Sequence, residues 1–123
     1  MTDAREGTLA ARIEAIEQAY EFMLAYAAQG REDEGGSIRD FLARAAGALD
    51  GLAGAAGSDD PAVAAFCTVL EEDARKAGAA LRLVLAQKAI TSQLVDNLNA
   101  SIHLRALLTD VFLIDEAMKR GEG

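Results

Sequence analysis

The chain reads as all-α, an antiparallel bundle of about four helices whose third member is long. Three observations lead there. Alanine and leucine, strong helix formers, carry much of a composition that is 51% apolar, while aromatic residues are 5% and β-branched ones are sparse. Apolar residues recur at spacings of three and four over most of the length, the period of one helix face. Glycine-rich or acidic turn signals separate these periodic stretches. At 123 residues with 26% charged, the chain has the size and composition of one globular domain, residues 1–123.

The first helix is predicted over 8–29, with Thr8 as N-cap and Gly30 just past its end. Leu9, Ile13, Ile16, Tyr20, Met23 and Ala27 form an unbroken seam at spacings of four and three. Glu14, Glu17 and Glu21 border the seam as an acidic strip, and Phe22 and Tyr26 lie on a second, shallower apolar face. Arg31 to Gly36 reads as a charged loop, and Ser37 as the cap of a second helix over 38–56. Ile38, Phe41, Leu42, Ala45, Leu49, Leu52 and Ala56 share one face of that helix. Gly47, Gly51 and Gly54 fall on the opposite face, at about 1 kcal/mol each against alanine.

Ser58-Asp59-Asp60-Pro61 is the clearest punctuation, an acidic cap followed by proline in the first helical turn. From Pro61 the apolar face runs through Val63, Phe66, Leu70, Ala74, Ala77, Leu81 and Val84, then drifts slowly through Leu94, Val95 and Leu98. The spacing predicts one helix over 61–97, bending near Gly78 or Lys88 or pairing its overhang with a second subunit. A competing break lies at Gln87 to Gln93, where Lys88, Thr91 and Ser92 interrupt the seam. The apolar face then jumps between Leu98 and Leu104, so a turn at 98–101 with Asn99 or Ser101 as cap opens a last helix over 101–120. That helix is apolar well beyond the arc one core would cover.

The formal net charge is −8 and the pI near 4.5. That balance excludes nucleic-acid phosphates and anionic membrane surfaces as partners, since both require clustered lysine and arginine. Cys67 is the single cysteine, so no intrachain disulfide forms. The N-terminus lacks the basic and apolar regions of a signal peptide, and no apolar run approaches the roughly 18–20 residues of a membrane span. A cytoplasmic location is the expectation.

No catalytic constellation emerges. A carboxylate-bridged metal site in a helical bundle needs Glu-x-x-His, and Ala100 stands three residues before His103, the one histidine. No metal or cofactor is therefore implied, and the acidic strip reads as a solvated face. Cys67 reads as a small buried hydrophobe rather than as the nucleophile of a Cys67–His103 dyad. The glycines of Gly47 to Gly57 lack the strand and spacing of a phosphate loop.

The polar residues on core lines are more informative. Asp115 falls in the seam of the last helix, Lys88 within that of the third, and Asp73 at its border. Buried charges require partners, which suggests a Lys88–Asp115 pair, with Arg39, Arg44 or His103 as other partners. Phe22, Tyr26, Leu107, Leu113 and Ile114 together make more apolar surface than a small bundle covers, and such surfaces mark association. The chain is thus expected to be a non-enzymatic, self-associating interaction protein: a homodimeric adaptor, small regulatory subunit or chaperone-like factor, with another protein as a further partner. The alternative is a ligand- or metal-binding bundle with Asp73, Lys88, Asp115 and His103 lining a cavity.

Overall fold

A computed structural model describes residues 8–29, 32–33 and 36–122, with side chains over 8–28 and 38–118. The fold is all-α but has more elements than the periodicity suggests. In order these are α1 (Leu9–Gln29), β1 (Glu32–Asp33), α2 (Gly36–Leu49), α3 (Leu52–Ala55), α4 (Pro61–Leu85), β2 (Ile90–Thr91), α5 (Ser92–Ala100) and α6 (Ile102–Glu122). None of these helices is long and apolar enough to cross a membrane. Gly30, Arg31, Glu34 and Gly35, with the helix end and loop expected there, lie outside the described residues.

The helix starts follow local chemistry. Thr8 Oγ1 accepts from the Ala11 amide at 3.2 Å, and Asp60 Oδ1 accepts from the Ala62 amide at 2.8 Å, with Pro61 in the first turn of α4. Thr91 Oγ1 takes the Leu94 amide at 3.0 Å to open α5, and Ser101 Oγ takes that of His103 at 3.3 Å to open α6. Ser37 lies inside α2 rather than ahead of it.

Two predicted helices are broken where one continuous element was expected. The span 38–56 stops at Leu49 because Gly51 adopts φ 79°, the left-handed geometry that glycine supplies at a helix C-terminus. Arg12 of α1 fixes this end, donating to the Ala48 carbonyl at 3.0 Å and to that of Asp50. The span 61–97 divides at the competing position. α4 stops at Leu85, and Arg39 of α2 donates to the carbonyls of Leu85 (2.7 Å), Gln87 and Lys88 (2.9 Å). A guanidinium on the last carbonyls of a helix satisfies groups that have no intrahelical partner and opposes the negative end of the macrodipole. Beyond it, β2 pairs antiparallel with β1, Asp33 opposite Ile90 and Glu32 opposite Thr91, and Tyr26 of α1 donates its hydroxyl to the Ile90 carbonyl.

One core collects the buried faces of all six helices. Ile13, Ile16 and Met23 of α1 meet Ile38 and Leu42 of α2, Leu70, Leu81 and Val84 of α4, Val95 of α5, and Leu104, Leu107 and Val111 of α6. Each such side chain contributes about 1.5–3 kcal/mol on burial, which is what holds helices of modest intrinsic propensity in place. α6 packs chiefly on α4 and touches α1 and α5, so it has neighbours on more than one flank.

Candidate functional site

The seam between α4 and α6 holds the feature that a packed core does not explain. Asp110 is 9% exposed, the one buried charged residue among the described side chains. It shares a helical line with Leu107, three residues before, and Ile114, four after, both buried. Asp73, half-buried on α4, lies within hydrogen-bonding reach of it. Burial, then the hydrogen bond to Asp73 and the repulsion between the two carboxylates, push Asp110 from 3.8 to about 7. Asp110 therefore keeps its proton up to near neutrality beside the Asp73 carboxylate. Asp110 Oδ2 is buried without a hydrogen-bond partner, as is Asn99 Oδ1 on α5. A polar atom left in that condition costs about 1–3 kcal/mol, so it asks for a reason.

The surface around the pair is apolar. Val69 and Leu83 on α4 are 44% and 66% exposed, and Ile102 and Leu113 on α6 are 74% and 57% exposed. Val69 precedes Asp73 by one turn and Leu113 follows Asp110 by one turn. Leu83 and Ile102 stand at the end of α4 and the start of α6. Exposed Ala62, Ala65 and Ala79 and half-buried Ala80 line the α4 side, half-buried Ala106 and exposed Ala117 the α6 side. Lys76, exposed, is one turn from Asp73.

The residues singled out by sequence are not brought together. Tyr26, Leu107 and Ile114, expected on a contact surface, are buried within the chain's own core, because α6 is flanked by α4, α1 and α5 and its wide apolar arc fits among them. Phe22 is half-buried, stacked on Phe41 at 4.5 Å between ring centroids. Leu113 alone of the five is strongly exposed. Lys88 is exposed in the α4–β2 connection and forms no pair with Asp115, which lies half-buried on the other flank of α6 beside Glu14, Glu17 and Glu21 of α1. His103 is exposed in the first turn of α6, and Cys67 is half-buried on α4.

Open grooves also lie elsewhere on the described surface, one of about 470 Å³ past Gln18, Phe22, Phe41 and Arg44 and two others. One of about 700 Å³ runs between α3 and α4 past Asp50, Glu71, Glu72, Arg75 and Arg82, with an exposed Arg82–Asp50 ion pair at 3.2 Å across one side. The other, about 450 Å³, follows the acidic strip of α1 and includes Asp115. Among the described residues no three His, Cys, Asp or Glu side chains are arranged to hold a metal ion. The chain matches no protein-family model, no curated protein and no solved structure.

Asp110, Arg12 and Arg39 are the residues whose roles the sequence reading missed. Asp110 had a usable signal, a carboxylate on the line from Leu107 to Ile114. The arginines had none, because a clamp on another helix's carbonyls leaves no local pattern.

Proposed function

We propose that the chain is a non-enzymatic helical interaction protein that associates with a second copy of itself through the outer face of α4 and α6. The supporting observation is that four of the large exposed apolar side chains, Val69, Leu83, Ile102 and Leu113, lie along this one pair of helices. Their arrangement follows from helix direction. Moving forward along α4 from Asp73 to Leu81 means moving back along α6 from Asp110 to Leu104 and Leu107. The two helices are thus taken as antiparallel neighbours in a bundle, with Val69 level with Leu113 and Leu83 level with Ile102. The result is a strip roughly 20 Å long, at 1.5 Å rise per residue, with apolar ends and the acid pair between them.

Charge favours a second copy. The chain carries −8 overall, which repels a like chain, but this face carries little of it. Lys76 stands exposed one turn from Asp73, and the remaining positions are mostly alanine and aliphatic. Alanines let two helix pairs approach closely, and a two-fold contact is the commonest closed arrangement. A cavity floored by Asp73, Lys88, Asp115 and His103 has less support, since Lys88 and His103 are exposed and Asp115 faces α1.

Sedimentation equilibrium at micromolar concentration tests the reading. The expected mass is twice the 12.9 kDa of the chain, falling to the single-chain mass for Leu83→Glu and Leu113→Glu together, with helix content unchanged. A mass of 12.9 kDa for the unaltered chain throughout overturns it.

A further inference from the structure

We propose that association through the α4–α6 face is proton-linked: each copy brings its Asp73–Asp110 pair into the contact carrying a proton, and the two copies part as the pair ionises. This rests on the self-association reading above.

The geometry places the pair in the middle of the face. Asp110 is already nine-tenths enclosed, its Oδ2 bonds to nothing, and the apolar side chains of Val69 and Leu113 stand one turn away on either helix. A second copy laid across that strip removes the remaining water from the acid pair. Fully ionised, each pair would then set two carboxylates side by side in a dry contact, which burial disfavours far more than it does a protonated pair.

The charges around the pair do not relieve it. On α4, Lys76 is exposed and makes no ion pair with either carboxylate. On α6, His103 lies two turns before Asp110 on the same line and is exposed, as are Arg105 and Glu116. Asp115 turns toward Glu14, Glu17 and Glu21 of α1 on the opposite flank, and Asp96 of α5 is exposed. The separated chain ionises Asp110 near pH 7. If only the protonated pair assembles, the dimer takes up one proton per copy, and its dissociation constant rises about a hundredfold between about pH 6 and pH 8.

Sedimentation velocity over a dilution series at the two pH values reads this directly. Expected are a weakening of that order for the unaltered chain, a pH-independent constant for Asp110→Asn, a response moved to lower pH for Asp73→Asn because burial still raises Asp110, and a retained response for His103→Gln. Helix content and melting temperature of each variant show that it folds, and Asp73→Asn, read by its displaced response, serves if Asp110→Asn does not fold. A dimer whose constant ignores pH, a response that survives Asp110→Asn or is unmoved by Asp73→Asn, or one lost with His103 overturns the proton linkage while leaving self-association intact. A chain that is single at both pH values overturns the reading beneath it as well.

Discussion

Replacing Asp110 by asparagine should change how folding stability depends on pH, even in dilute solution where no dimer forms. Asparagine keeps the size of the side chain and can still donate to the Asp73 carboxylate, but it removes the titration. In the folded chain the Asp110 carboxyl is raised from 3.8 to about 7, so between those values the native state holds a proton that the unfolded chain has released. Stability then falls as pH rises: the contribution is fully present below about pH 4, declines through the window, and is lost above about pH 7. At about 1.4 kcal/mol per pH unit the ceiling is about 4 kcal/mol, and solvent at the edge of the seam brings it to the order of 2–3. Urea unfolding at about pH 5 and about pH 8 measures it. The unaltered chain should lose stability between the two, and Asp110→Asn should lose much less, ending the more stable of the pair at the higher pH. Equal pH slopes for the two proteins would show that the carboxyl is not held up by its surroundings, and the reasoning would fail.

Other predictions concern the joints between helices. Tyr26→Phe removes the donor to the buried Ile90 carbonyl and should cost about 1–2 kcal/mol, read as a drop of several degrees in Tm. Arg39→Met keeps the apolar stem but frees three carbonyls at the end of α4, at about 1–2 kcal/mol, with faster amide exchange over residues 86–91 as the local signature. Gly51→Ala should destabilise by about 1 kcal/mol because φ is 79° there, whereas Gly47→Ala, with open space around its new methyl inside α2, should stabilise by about 0.5–1 kcal/mol.

The parts of the fold legible from sequence are those fixed by neighbours along the chain. Pro61 after Asp60, Thr8 before the first seam and the phase jump near Ser101 each mark an observed helix boundary, because caps and periodicity are local properties. The break at Gly51 left no mark in the periodicity, and the one after Leu85 showed only as the competing site at Gln87 to Gln93, for a physical reason. Leu94, Val95 and Leu98 stay on the drifting apolar line, so the core-facing pattern continues across a segment whose backbone leaves the helix. What decides those breaks is Arg12, Arg39 and Tyr26 reaching from helices distant in sequence. The same limit explains the candidate site. A wide apolar arc on α6 reads as surplus surface when its neighbours are unknown, yet Leu107 and Ile114 are enclosed and the large exposed apolar residues of these two helices are Ile102, Phe112 and Leu113 and, on α4, Val69 and Leu83. Asp115 drew attention by lying on the seam, while Asp110, nearer α4, is the carboxylate that burial alters.

Isotope-filtered NMR on a mixture of labelled and unlabelled chains, at about pH 6 where the linked assembly is favoured, looks at the proposed contact itself. Methyl groups of Val69, Leu83, Ile102 and Leu113 should show nuclear Overhauser contacts to the unlabelled copy, and those of Leu42 and Val111, deep in the core, should show none. Intermolecular contacts absent from all four, or arising instead from Leu24 or Phe112, would contradict an α4–α6 interface.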